Sequence, residues 1–166
     1  MASKASFTSD EWKQLLQSPM LAGMAVTAAE PSGLWGLIKE SFAASGALAQ
    51  AKADASANAL IRAVVADFET AEGRSAARDG LKAEFAGGKT GDVKAKAIEG
   101  LRRVSALLEA KAPDDAPPFK AWLQATAQRV AEAAKEGGFL GFGGVQVSEA
   151  EKATLTEISG ALKLSA

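Results

Sequence analysis

Apolar residues recur along most of the chain at intervals of three and four, the spacing that places them on one face of an α-helix. Over residues 93–108 the steps of four and three alternate, which is typical of a helix-bundle seam. Similar apolar faces are predicted over residues 60–68, 118–135 and 149–162. No segment alternates apolar and polar residues for long enough to predict a strand, so we expect an all-α fold. The seam residues are Val93, Ala97, Leu101, Val104 and Leu108.

Capping residues predict where two of these helices begin. Thr8 is followed three residues later by Glu11, and Ser148 is followed at the same distance by Glu151. Each pair matches the capping box, in which both side chains satisfy backbone N–H groups at the helix start. We therefore expect one helix to begin just after Thr8 and the final helix just after Ser148.

Proline and glycine predict where the other helices are interrupted. The first helix is expected to end near Gln17 and a second to start at Ser18-Pro19, because proline is favoured in the first turn of a helix. A third helix is predicted over residues 33–53, and the proline-rich run 112–118 is expected to end a later one. Together these signals predict a compact single-domain bundle of seven or eight helices that spans residues 1–166.

Composition narrows the chemistry that such a bundle can perform. The 166 residues include 38 alanines but no His, Cys or Tyr. These absences exclude zinc sites built on imidazole or thiolate, iron–sulfur clusters, and Ser-His-Asp or Cys-His catalysis. We therefore expect a protein that is not an enzyme and that carries no cofactor.

Charge and hydropathy bear on the class of partner and on the compartment. Nineteen basic and twenty acidic residues give a formal net charge of −1, whereas a dedicated nucleic-acid-binding domain is usually strongly basic. The first ten residues lack the apolar core of a secretory signal, and the longest apolar stretches are too short to span a bilayer. We expect a cytoplasmic protein with a protein partner, no nucleic acid and no transmembrane segment.

A basic helix face is the first candidate contact region. Arg74, Arg78 and Lys82 recur every four residues, and residues 74–103 hold eight basic and four acidic side chains. Such a face is compatible with a solvated surface or with docking of an acidic partner. We take these three residues as candidate partner-binding residues.

An apolar, glycine-rich segment is the second candidate contact region. Phe139, Leu140 and Phe142 lie among five glycines in residues 137–144, although linkers between helices are normally polar. The rings could fold back and close the open end of the bundle, or they could be exposed to a partner. We take these three residues as candidate partner-binding residues as well.

Two parts of the chain resemble the TerB-like, tellurite-resistance-associated domains. Residues 129–135, followed after the glycine-rich segment by 147–152 and 157–162, are similar to the final helix–loop–helix of that family. Residues 20–29 followed by 30–33 are similar to its earlier helix and acidic loop. The resemblance implies a compact all-helical fold and a role in stress response or as an interaction scaffold rather than as an enzyme.

The same resemblance implies an alternative function, because the family's paired acidic loops are proposed to bind a divalent metal. The matching loop carboxylates here are Glu30, Glu136 and Glu149, with Glu30-Pro31 and Glu136-Gly137 where the family has Asp-Gly. Our first hypothesis is therefore a helical interaction or scaffold protein. The alternative is a small domain that binds a divalent metal or another ligand through these carboxylates.

Overall fold

The computed structural model describes residues 2–29, 57–89, 92–136 and 147–164, and the side chains of all of these except 133–136. Across these ranges the protein is all-α, as predicted, with one 3-10 helix at Lys4–Ser6 and no strand. None of the helices in these ranges is long and apolar enough to cross a lipid bilayer. The α-helices are α1 (Ser9–Thr27), α2 (Ala59–Phe68), α3 (Ala71–Phe85), α4 (Val93–Lys111), α5 (Ala116–Glu136) and α6 (Glu149–Ala161).

The predicted break at Ser18-Pro19 is wrong, because α1 runs through both residues. Proline inside a helix leaves the carbonyl four residues earlier without its N–H partner. Here that carbonyl belongs to Leu15, and the Ser18 hydroxyl donates a hydrogen bond to it at 2.7 Å. The helix can therefore continue past the proline with its backbone acceptor satisfied.

This continuity also changes the helix count. The two predicted N-terminal helices are one, and the predicted helix over 33–53 lies outside the described residues. The described part of the chain therefore has six α-helices, where the sequence predicted seven or eight for the whole. The fifth of them, α5, begins at Ala116, two residues before the predicted Pro118, so that both Pro117 and Pro118 lie in its first turn.

The central element of the bundle is α1, which packs against each of the other five described α-helices. Twelve of its 19 residues are buried. The apolar faces predicted for the helices around it point inward as expected, and they enclose α1 in a continuous core. The largest fully buried side chains are Leu15, Leu16, Leu21, Val26, Leu60, Val64, Leu101, Leu108, Phe119, Leu123, Ile158 and Leu162.

Both predicted capping boxes are confirmed. The Thr8 hydroxyl accepts from the Glu11 amide at 3.3 Å, and the Glu11 carboxylate accepts from the Thr8 amide at 2.7 Å. At the start of α6, Ser148 and Glu151 make the same two bonds at 3.1 and 2.9 Å. The starts of α1 and α6 are thus set by residues three apart in sequence.

Candidate functional site

The structure describes one of the two candidate contact regions. Arg74, Arg78 and Lys82 all lie on α3 and all are exposed, as the four-residue spacing predicts. Phe139, Leu140 and Phe142 lie outside the described residues. The candidate site is therefore the exposed side of α3. We call it the α3 basic face and define it by Arg74, Arg78 and Lys82.

The position of α3 is set by a tight corner with α2. The Thr70 hydroxyl caps α3 by accepting from the Gly73 amide at 2.9 Å, and it donates to the Asp67 carbonyl at 2.7 Å. A Cβ atom at Gly73 would overlap that same carbonyl oxygen. Only glycine fits this close approach, so the corner depends on Thr70 and Gly73 together.

The three residues of the α3 basic face differ in how far their charge is engaged. Arg74 donates from Nη1 to the Glu69 carbonyl at 2.6 Å, which holds it against the corner. Lys82 lies 4.0 Å from the Asp79 carboxylate one turn earlier, and its side chain is 72% exposed. Arg78, between them, makes no hydrogen bond or ion pair with any described residue. Its guanidinium is therefore free to bind a carboxylate from outside.

The basic residues that follow α3 do not extend this face. Lys94 pairs with Glu157 of α6 at 2.6 Å, and Arg103 pairs with Glu84 of α3. Arg102 pairs within α4. Lys94, Arg102 and Arg103 are therefore engaged in ion pairs within the bundle, and the candidate face is confined to α3.

Acidic residues border the α3 basic face. The helix has three basic and three acidic residues in all. Glu84 is turned toward α4, whereas Glu72 and Asp79 are exposed, and Asp79 lies 4.0 Å from Lys82. The surface is thus a row of positive charge with negative charge along one side, and its net field is weak at a distance.

The carboxylates of the metal-binding alternative are not brought together within the described residues. Glu30 and the side chain of Glu136 lie outside them. Glu149 is exposed at the start of α6 and accepts from Lys152 at 2.8 Å. In the described part of the chain, no three acidic side chains are grouped in a way that could hold a metal ion.

Two aspartates with a role in the fold were not predicted from the sequence. Asp67 accepts from the Trp12 indole Nε1 at 2.6 Å, and the buried Asp115 accepts from the Ala2 amide at 2.6 Å and from Asn58 at 2.7 Å. Burial raises the pKa of both carboxyls, but it is outweighed by Trp12 together with the Lys4 ammonium at Asp67, and by the hydrogen bonds from Ala2 and Asn58 with nearby positive charge at Asp115, so each pKa lies below its ordinary value. Their partners are 55 to 113 residues away, so no local pattern could have identified them.

A third unpredicted carboxylate joins α4, α5 and the residues after α6. Glu109 accepts from Lys120 at 2.5 Å and from Lys163 at 2.7 Å. These two ammonium groups lower the pKa of Glu109 to about 2, and Lys120 has the larger effect. The Lys120 side chain is only 7% exposed. Since the Glu109 carboxylate is bonded to both ammonium groups, this cluster links three parts of the bundle and is not a candidate acid or base.

Comparison with known proteins assigns the chain to no family. No protein-family model, no curated protein and no solved structure matches it.

Proposed function

We propose that this chain is a non-enzymatic helical interaction protein whose α3 basic face binds an acidic segment of a partner protein. The observation that carries the proposal is the exposure of Arg74, Arg78 and Lys82 on successive turns, with Arg78 free of any described partner. Residues four apart on a helix repeat about every 6 Å. Carboxylates four apart on a partner helix have the same repeat, and arginine can bind a carboxylate through two parallel hydrogen bonds.

The acidic border of the face favours a protein partner over a nucleic acid or a lipid surface. Glu72 and Asp79 would lie close to the phosphates of any continuous polyanion that covered α3. The chain as a whole has a formal net charge of −1, which gives no long-range attraction to such a surface. A helix that carries acidic residues on one edge only would meet the basic row and avoid the acidic one.

We extend the proposal to the apolar segment as a second contact region, with Phe139, Leu140 and Phe142 as the contact residues. If their rings are exposed, replacing Phe139 and Phe142 by Ser leaves the far-ultraviolet circular dichroism unchanged and weakens partner binding. Loss of the helical signal in that variant would mean instead that the rings fill the end of the bundle.

We also propose the finer features that the sequence predicts. Residues 33–53 would form a further helix and bring the total to seven. The TerB-like resemblance supports a role in a stress response, and we propose a cytoplasmic location.

The α3 proposal can be tested with a defined probe. A fluorescent helical peptide with Glu at every fourth position is titrated with the protein, and binding is followed by fluorescence anisotropy. We expect Arg78→Glu to weaken binding about tenfold or more, which corresponds to about 1.4 kcal/mol. Arg129→Glu is the matched control, because Arg129 is an exposed arginine on α5 that likewise has no described partner.

Specificity is checked with a second peptide of the same composition whose Glu residues are spread around the helix. The proposal predicts weaker binding of this peptide, and a larger loss for Arg78→Glu than for Arg129→Glu. Equal losses for the two reversals would show that the peptide responds only to total charge. Equal losses, or no measurable binding to either peptide, would contradict a docking face on α3.

A further inference from the structure

Helix α3 is attached to the bundle by fewer buried side chains than any other described α-helix. Of its 15 residues only Gly73 and Ala77 are buried, whereas α2 buries four large apolar side chains in 10 residues. Leu81 and Phe85, in the C-terminal half of α3, are only half-buried. Because hydrophobic stabilisation scales with the apolar area removed from water, glycine and alanine contribute little to holding α3 in place.

The surface of α1 that α3 covers contains an unpaired polar group. Gln17 is 4% exposed, and its side-chain Oε1 is buried without a hydrogen-bond donor. Gly80 of α3 lies directly against this oxygen, since a Cβ atom there would overlap it. A buried acceptor without a donor is unfavourable compared with the same group in water. If α3 moves away from α1, water can donate a hydrogen bond to Gln17 Oε1, which has no donor while α3 is packed against it.

The two ends of α3 are held differently. At the N-terminal end, the hydrogen bonds of Thr70 and Arg74 tie the helix to the corner with α2. At the C-terminal end the chain passes through Gly87, whose φ of 69° is favourable for glycine. Two polar contacts join this end to α4: the ion pair of Glu84 with Arg103, whose side chain is 45% exposed, and an exposed hydrogen bond from Lys96 Nζ to the Ala86 carbonyl at 3.3 Å. Ion pairs and charged contacts near the surface contribute little. The C-terminal end is therefore the end that can separate.

From these contacts we infer that α3 opens away from α1 as a unit, hinged at its corner with α2, while the rest of the bundle stays folded. The open state exposes Gln17 and the adjoining surface of α1. Such local opening below the free energy of global unfolding is typical of elements with few buried apolar contacts. The opening does not depend on whether the α3 basic face binds an acidic partner.

The natural absence of cysteine allows a direct test. Ala77→Cys places a thiol on the buried side of α3, and Ala97→Cys places one at a fully buried position of α4. Each folded variant is labelled with an aromatic disulfide reagent across a range of low urea concentrations. Global stability is measured separately by circular dichroism, so that labelling through complete unfolding can be subtracted.

We expect Ala77→Cys to react at least about tenfold faster than Ala97→Cys, with a much shallower urea dependence, because local opening exposes less surface than global unfolding. A smaller ratio, or a urea dependence as steep as that of Ala97→Cys, would overturn the inference. If Ala77→Cys does not fold, hydrogen exchange of the unmodified protein decides. Faster exchange at residues 75–85 than at 97–108 supports the opening, and equal exchange overturns it.

Discussion

The hydroxyl of Ser18 takes the place of a backbone amide in the middle of α1. Proline at position 19 removes the N–H that would bond the Leu15 carbonyl, and that carbonyl accepts from the Ser18 side chain instead. Ser18 is completely buried, so water cannot substitute for it. A single side chain therefore decides whether the central helix is satisfied or carries a buried, unpaired acceptor.

This dependence predicts a non-additive pair of substitutions. Ser18→Ala alone is expected to lower the free energy of unfolding by about 1–3 kcal/mol, because it leaves the Leu15 carbonyl unpaired. In a Pro19→Ala background the same change should cost less, since the amide of residue 19 can then reach that carbonyl. Urea unfolding of the two single variants and the double variant measures the coupling. An equal cost in both backgrounds would argue against this role for Ser18.

At the scale of helices, the features that could be predicted from the sequence are those set by neighbouring residues. The capping boxes at Thr8 and Ser148, and the exposed four-residue spacing on α3, depend on residues within a turn or two of each other. The engagement of Lys94 and Arg103 could not be predicted, because their acidic partners lie 63 and 19 residues away in sequence. The sequence therefore predicted that the three basic residues of α3 are exposed, but not that Lys94 and Arg103 are paired within the bundle.

The predicted break at Ser18-Pro19 is wrong because a local pattern was read without the packing of the whole helix. The pattern is typical of a helix start, and nothing local distinguishes that case from a serine that bonds backward to Leu15. Which one occurs depends on whether α1 gains more by continuing through the core than by ending, and twelve buried residues in one helix favour continuation.

Two glycine-to-alanine changes, one at the corner between α2 and α3 and one in α6, should have opposite effects on stability. Gly73→Ala should lower the free energy of unfolding by about 1–3 kcal/mol, because its Cβ would overlap the Asp67 carbonyl and force the backbone apart. Gly160→Ala in α6 should raise it by up to about 1 kcal/mol, since nothing lies near its Cβ and alanine favours helix. Thermal or urea unfolding compares them. A loss of similar size in both variants would mean that the corner has no special steric demand.

Carboxylates hold the segments before α1 and after α6 against the rest of the bundle. Asp115 and Asp67 hold the segment before α1, and Glu109 holds Lys163 after α6. Glu11 joins the start of α1 to Lys111 at the end of α4 at 2.7 Å, and this contact lowers its pKa. All four groups must be ionised to make these contacts as described, which couples the stability of the bundle to pH.

Because the folded-state pKa of each carboxyl lies below its unfolded value, the stabilisation is present above the unfolded pKa and is lost as the pH falls through the folded one. We expect the free energy of unfolding to be level near neutral pH and to fall from about pH 5 toward pH 2. Urea titrations at several pH values measure this.

The folded-state pKa of Glu109 is lowered to about 2, so its titration contributes to the loss of stability in acid. Glu109→Gln removes this titration and should make the free energy of unfolding fall less steeply between about pH 5 and pH 2. Glu149→Gln is the matched control, because Glu149 pairs only within the first turn of α6. An equal effect of the two substitutions on the acid limb would count against a special contribution from the Glu109 cluster.

The bond between the Trp12 indole and Asp67 also equips the protein with its own optical and magnetic reporter. Since the chain has no tyrosine, its near-ultraviolet emission comes from three tryptophans. In the described residues Trp12 donates to a carboxylate at 2.6 Å, while the indole nitrogen of Trp122 is buried without an acceptor. The two indole protons should therefore give separate nuclear magnetic resonance signals. Because Asp67 also binds Lys4, the Trp12 signal would report, without any added label, whether the segment before α1 keeps its position.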